Sequence, residues 1–334
     1  LLIDEQFAES IPKERTMIDQ PRYQRILVAV DFSAYSEAAF RQGMWLARAH
    51  GASLVLVHTL PDLRHVAHRA SALAKLDLLQ GEGELFHREV RQASDAKMRH
   101  MIAEHGAKDL DIQVETLLGE PFVELIHAVQ SEGYDLVLAG TRGIAAWKQF
   151  LVGSTATRLI RKCPASVWIV KAEHVGPPKV VLAATDFSPV GWKAVQHGLS
   201  IAQQAQGEFH LLHVIDEKDL ASPELANANR KEINDSVKER LQSSLESMQI
   251  DREQIQVHLS IGSPWQEVGR LAQHLKVDLI AMGTVGRGGI PGLLLGNTAE
   301  RVLSTCDCSI LAVKPDNFVS PITPAAWALH PPSE

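Results

Sequence analysis

Short apolar runs and amphipathic stretches alternate along most of this 334-residue chain. In its first half the apolar runs, among them "LVLVH" and "SVWIV", predict strands near residues 26–30, 54–58, 112–117, 135–139 and 166–170. Between them apolar positions recur at helical spacing, which predicts helices near 35–50, 84–105, 121–131 and 154–161. Strands that are apolar on both sides require cover on both faces, as in a parallel sheet between two helical layers. Strand–helix–strand alternation joined by right-handed crossovers then predicts an open, doubly wound α/β sheet.

The second half repeats the first. "RILVAVDFSAYSEAAFRQGMWLA" from Arg25 parallels "KVVLAATDFSPVGWKAVQHGLSIA" from Lys179, so that Asp31 falls on Asp186, Ser33 on Ser188 and His58 on His213, each 155 positions on. Further along, Gly119 falls on Gly262, Asp135 on Asp278, Gly140 on Gly283, Gly153 on Gly296 and Cys163 on Cys306, each 143 positions on. The change of offset means that the first copy holds twelve more residues between His58 and Gly119. Many matched positions over two windows identify a tandem repeat. The reading therefore divides the chain into an N-terminal arm (1–24), a first domain (25–172), a short linker (173–178), a second domain (179–315) and a Pro-rich tail (316–334). Both terminal segments lack periodicity and are expected to be arms or disordered ends.

Each copy carries a glycine-spaced segment after its fourth strand, "GTRGIAAWKQFLVGST" at 140–155 and "GTVGRGGIPGLLLGNT" at 283–298. In an open α/β sheet, ligands bind beyond the carboxyl ends of the strands, where the strand order reverses. Gly140 and Gly143 can adopt positive φ and admit a ligand to bare backbone. Gly153 and Ser154 stand where a helix begins, with free N–H groups and a positive dipole end that favour an anion. Ser154 and Thr155 are also good helix caps. Glycines after strands and hydroxyls before helices are equally ordinary turn and cap chemistry, and it is the recurrence of the spacing that favours a phosphate cradle. Neither the P-loop pattern nor the dinucleotide fingerprint after strand one is present.

Asp31 and Asp186 after strand one, "VHT" and "LHV" ending strand two, and G-x2-G-x9-G-[S/T] after strand four together resemble the universal stress protein family. The resemblance covers both copies, residues 24–315, and is to its tandem, two-copy members. It implies a Rossmann-like fold of two five-stranded parallel sheets that binds an adenine nucleotide, ATP or AMP with or without Mg, as a sensor or regulator of the stress response. Asp31 would meet ribose or base, the backbone at Ala29 and Thr59 would edge the adenine, and Ala139, Gly140, Gly143, Gly153, Ser154 and Thr155 would hold ribose and phosphates. The matching residues of the second copy are Ala184, Asp186, Val214, Met282, Gly283, Gly286, Gly296, Asn297 and Thr298. An aspartate suits ribose hydroxyls and repels phosphate; the alternative role of Asp31 and Asp186 is to cap the following helix. Asn297 departs from the pattern, replacing the hydroxyl that follows the third glycine, so the first copy is expected to bind at least as tightly as the second. The resemblance also implies that the fifth strands, "SVWIVK" and "SILAVK", meet antiparallel, making an intramolecular pseudo-dimer, with or without a further homodimer.

Composition narrows the alternatives. A formal net charge of -7 disfavours a phosphate-backbone binder, so no nucleic acid is expected. Three cysteines suit a reducing compartment. The opening "LLIDEQFAES" places Asp4, Glu5 and Glu9 where a signal peptide needs basic residues, and no apolar run is long enough to span a membrane, so a cytoplasmic location is expected. Cys306 and Cys308 form a C-x-C without a second cluster, which reads as buried packing and not as a metal set. His65, His68, His100 and His105 read as solvated, and His58 and His213 as hydrogen-bonded structural groups. Trp147 and Phe150 either cover a base or fill core, and the apolar "LAKLDLLQGEGELF" is either a lid or a longer helix. No nucleophile, base and orienting group recur together. A slow ATPase remains one alternative function, with Arg142, Lys148 and Arg287 as its charge-neutralising candidates. A scaffold holding no nucleotide is the other.

Overall fold

The computed structural model describes residues 21–61, 82–141, 152–171, 175–220, 230–286 and 295–323. The chain forms two compact units. One comprises Arg22–Pro177 together with Asp307–Glu334. Its elements are β1 (Arg25–Val30), α1 (Ala34–His50), β2 (Ser53–Leu60), α2 (Glu82–Glu104), β3 (Ile112–Leu118), α3 (Pro121–Glu132), β4 (Leu136–Gly140), α4 (Ser154–Lys162) and β5 (Ser166–Val170). The other unit, Leu1–Pro21 with Pro178–Cys306, contains β6 (Val180–Thr185), α5 (Pro189–Ala205), β7 (Glu208–Ile215), the four-residue α6 (Glu217–Leu220), α7 (Arg230–Ser247), β8 (Gln256–Ile261), α8 (Pro264–Leu275), β9 (Leu279–Gly283) and α9 (Asn297–Thr305). The last strand, β10 (Ser309–Val313), is the end of the second repeat by sequence but lies in the first unit.

Local chemistry sets the helix ends. Ser33 caps α1 by accepting a hydrogen bond from Ser36 N, and Gly51 ends it with a left-handed φ of 68°. Pro121 opens α3, where its missing N–H costs nothing, and Gly133 closes it. In the second unit Ser188 caps α5 and Pro264 opens α8.

Sheet order in the first unit is β3-β2-β1-β4-β5-β10. β1 to β5 are mutually parallel, while β10 runs antiparallel to β5, with Leu311 opposite Trp168. The antiparallel meeting of the fifth strands expected from the resemblance is thus present. In the second unit β9, β6, β7 and β8 lie side by side and parallel. The strands are apolar throughout because both faces are covered: Ile26, Leu27, Val28, Leu54, Leu56 and Leu136 are fully buried. Burial of each such side chain stabilises by about 1.5–3 kcal/mol.

Of the expected arm and tail, residues 22–24 and 316–323 are held by defined bonds, and residues 1–20 and 324–334 lie outside the described residues. Tyr23 is buried, and Gln24 N donates to the Asp135 carboxylate at 2.6 Å. At the other end, Gln130 Nε2 donates to Ile322 O at 2.9 Å and His127 Nε2 meets Thr323 O at 3.0 Å, which fastens residues 316–323 to α3. Hydrogen bonds to carbonyls need no sequence pattern, and for that reason this stretch carries none.

Candidate functional site

In the first unit the chain proceeds from β1 to β2 and β3 on one side and to β4 and β5 on the other, so the order reverses between β1 and β4. The β1–β4 ladder ends at Val28 opposite Leu138, whereas β1–β2 continues to Val30 opposite His58. Beyond Val28 the β1–β4 pairing ends, and Ala29, Asp31, Ala139 and Gly140 follow at the carboxyl ends of these two strands. In the second unit β6 and β9 remain paired to Ala184 opposite Met282, one position further, and Asp186 and Gly283 come next.

Asp31 does not cap the next helix; Ser33 does. The Asp31 carboxylate instead accepts hydrogen bonds from Ser33 N at 3.1 Å and Ser33 Oγ at 2.6 Å. Asp186 and Ser188 repeat the arrangement at 3.0 and 2.5 Å. The intervening Phe32 and Phe187 have φ of 62° and 65°, a region that costs a bulky residue roughly 1–3 kcal/mol and that clusters at functional sites. Both strained turns are supported from the side. His58 Nδ1 meets Val30 O at 2.6 Å and His213 Nδ1 meets Thr185 O at 2.8 Å. Because a carbonyl only accepts, each Nδ1 carries the proton. Each imidazole packs on its phenylalanine, with ring centroids 4.6 and 4.3 Å apart.

The glycines serve ends that the spacing alone did not distinguish. Gly140 does not adopt a positive φ. A Cβ there would lie 2.7 Å from the Tyr35 carbonyl carbon, so its role is to let the end of β4 pass beneath the first turn of α1. Gly283 likewise passes Val190, at 3.0 Å. Gly286 is held against the acid: a Cβ there would lie 2.6 Å from Asp186 Oδ2. Gly153 and Gly296, not the residues after them, are the helix N-caps, with ordinary extended backbone. Ser154 and Asn297 are the first helical residues, and neither helix start has a side-chain cap. The expectation that Ser154 and Thr155 cap α4 is therefore corrected: the glycine takes the cap position because its N–H turns back to Thr141 O at 2.7 Å. Gly296 N makes the same bond to Thr284 O, also at 2.7 Å. In both copies the residue before the helix is thus tied back to the threonine after the fourth strand, and the first-turn N–H groups of α4 and α9 have no intrahelical partner. Thr155 and Thr298 are partly covered there, while Ser154 and Asn297 are exposed.

Thr59 and Val214, in the last turns of β2 and β7, keep ladder partners in Leu117 and Ser260. Gly143, Trp147 and Phe150 lie outside the described residues, as do Arg142, Lys148, Arg287, His65, His68 and most of the apolar insertion. His100 and His105 lie near Glu104 and Glu37, each at 3.2 Å, and all three cysteines are free and buried. Sequence reasoning sought charge only in the loops and missed two cations on helices. Lys97 Nζ lies 4.1 Å from the Phe32 ring centre and Arg240 Cζ 4.3 Å from that of Phe187. The two are 143 positions apart, and that offset was the signal that could have found them.

Residues 22–171 and 178–314 each match the family model described as the universal stress protein family. The chain is 24% identical over 312 residues to universal stress protein E of Escherichia coli K12, covering 90% of this chain and 96% of that protein. It is 27% identical over 295 residues to a universal stress protein of Mycolicibacterium smegmatis, covering 87% and 97%. Among solved structures, a universal stress protein from Archaeoglobus fulgidus superposes with a TM-score of 0.60 at 21% identity, covering 87% of this chain and 98% of that one. That likeness is one of fold. Among the described residues no helix is long and apolar enough to cross a membrane.

Proposed function

The chain belongs to the universal stress protein family, and from that membership and the geometry of its strand ends we propose that it binds an adenine nucleotide, ATP or AMP, at the switch point of each copy. The observation that carries the proposal is the twofold recurrence of one arrangement. In each copy an aspartate after the first strand is held by its own serine, and the helix after the fourth strand starts without a side-chain cap, its glycine clipped back to a threonine carbonyl.

Such an arrangement suits one class of ligand. The aspartate accepts hydrogen bonds and repels phosphate, so it takes the hydroxyls of a ribose. The uncapped helix start supplies N–H donors and a positive dipole end, and takes the phosphates. In the first copy Asp31, the backbone of Ala29 and Thr59, and Ala139, Gly140, Gly143, Gly153, Ser154 and Thr155 form the site. In the second, Ala184, Asp186, Val214, Met282, Gly283, Gly286, Gly296, Asn297 and Thr298 do so. The protein acts by being occupied or empty, as a sensor.

Calorimetry of the full chain with ATP, AMP and adenosine tests this. Two sites are expected, with Asp31→Ala removing one and Asp186→Ala the other, and circular dichroism confirming that each variant is folded. Removing an acceptor for charged or hydroxyl donors costs about 1.5–3 kcal/mol, an affinity loss of roughly ten- to a hundred-fold. Wild-type protein, freed of carried-over ligand, that binds no adenine nucleotide would sink the proposal.

A further inference from the structure

Lys314 is the residue after β10, so it belongs to the second repeat, yet it is almost fully buried in the unit formed by the first. Its Nζ donates to Ile160 O. Ile160 lies in the last turn of α4, the helix whose other end is the proposed phosphate site. The four C-terminal carbonyls of a helix have no intrahelical donor, and a cation there also complements the dipole. Over the ammonium lies the Phe318 ring, 4.1 Å from centre to nitrogen. Phe318 is held by its own turn, Phe318 N to Pro315 O at 3.1 Å, and the segment continues to the bonds that Gln130 and His127 make with Ile322 and Thr323.

We propose that Lys314 is a positioning residue for the ligand site of the first copy, acting through α4, with residues 315–323 as its cover. This rests on the nucleotide reading above. α4 has nine residues, a length of about 13 Å; Ala156, Leu159 and Ile160 bury its inner face, and Arg158 pairs with Glu120 and lies over the Phe122 ring. Its N-cap glycine is clipped to Thr141 and its far end is fixed by Lys314. Displacing the far end tilts the first-turn N–H groups away from the point where they must converge, and a shift of about 1 Å at a positioning contact is enough to weaken binding severely. The cation also offsets the negative pole at the C-terminal end of α4. The position equivalent to Lys314 in the first repeat, Lys171, is partly exposed and lies 3.5 Å from Asp307 instead. In the first copy, then, the second repeat and the tail condition the site.

Holding this amine in the interior is costly. Burial pulls the Lys314 pKa down to about 8, and the neighbouring Cys163 thiol is pushed up to about 12, by burial first.

The test reads affinity and stability together in the full chain, in an Asp186→Ala background that leaves the first site alone. Lys314→Met preserves length and apolar packing. We expect ATP binding about five-fold weaker, with a melting temperature equal to or above that of the parent. Phe318→Ala should give a smaller loss in the same direction, and Lys171→Met none. If Lys314→Met weakens binding and lowers the melting temperature in proportion, the residue is merely structural and the inference falls. It falls too if binding is unchanged. If the Asp186→Ala parent itself binds no nucleotide, the failure belongs to the reading of the site, which the wild-type titration identifies separately.

Discussion

The two copies close their helices differently. In the first, α1, α2 and α3 are followed by Gly51, Gly106 and Gly133, all with left-handed φ between 63° and 69°. At the matched positions the second copy has Gln206, Gln249 and Lys276, all at φ 53°. The backbone path is the same and the residue is not. A side chain in this region costs roughly 1–2 kcal/mol, which glycine avoids. The difference teaches that the path is dictated by the turn leading from each helix into the next strand, and not by the residue's preference. Gln206 still closes its turn through Ala202 O and Gln203 O, and Lys276 through Ala272 O and Gln273 O. The first copy thus carries relaxed helix ends, and the second tolerates strain at the same three places.

The largest expected difference between copies lies at the glycine ending the fourth strand. Gly140→Ala drives a methyl into the Tyr35 backbone at 2.7–2.8 Å, and a helix cannot move aside. Gly283→Ala meets the Val190 methyls at 3.0 and 3.2 Å and the Val285 carbonyl oxygen at 3.3 Å, looser contacts that small shifts relieve. We expect losses of about 3 and about 1 kcal/mol, measured by urea unfolding of the full chain. Equal losses would mean that the two strand ends are built alike after all.

Next come the paired lysines. Below pH 8 an unfolded chain and a folded one both protonate Lys314, and the folded chain carries the full cost of the buried charge. Between about pH 8 and the ordinary lysine value of 10.5 the unfolded chain holds more protons, so stability rises with pH. Cys163 acts in the opposite sense above its ordinary value of 9.0, so the rise should be clearest between pH 8 and 9. Lys314→Met should gain about 2 kcal/mol at pH 7 and abolish that rise. Lys171→Met should change stability by less than about 0.5 kcal/mol. A rise that persists in Lys314→Met would assign it to another group.

The smallest effects are those at the helix ends. Replacing Gly51, Gly106 or Gly133 by Ala should each cost about 1 kcal/mol, since nothing lies within 4 Å of the added Cβ and only φ opposes it. Gln206→Gly, Gln249→Gly and Lys276→Gly should each gain about 0.5–1 kcal/mol. Thermal melts of the six variants check both signs at once. A second copy that gains nothing from glycine would show its side chains compensating the strain through contacts of their own.

The sequence alone determined the tandem repeat, the α/β alternation and the parallel sheets, because periodicity and matched spacing are local properties that a chain carries in its order. It also placed both aspartates just after the first strand of each copy and the glycine segments after the fourth. It could not say that Ser33, two residues on from Asp31, takes the cap and leaves the carboxylate at the strand end, since cap and acceptor are equivalent roles in a D-x-S triplet. It could not distinguish a glycine needed for φ from one needed for passage, and Gly140 is explained only by Tyr35, more than a hundred positions earlier. Lys314 is the extreme case: as a letter it is a charged residue ending a strand, and its partner Ile160 is 154 positions away. Burial, strand pairing and the support of α4 arise where distant segments meet, and only the tertiary structure decides which segments those are, because their contact energies depend on proximity that no local pattern encodes.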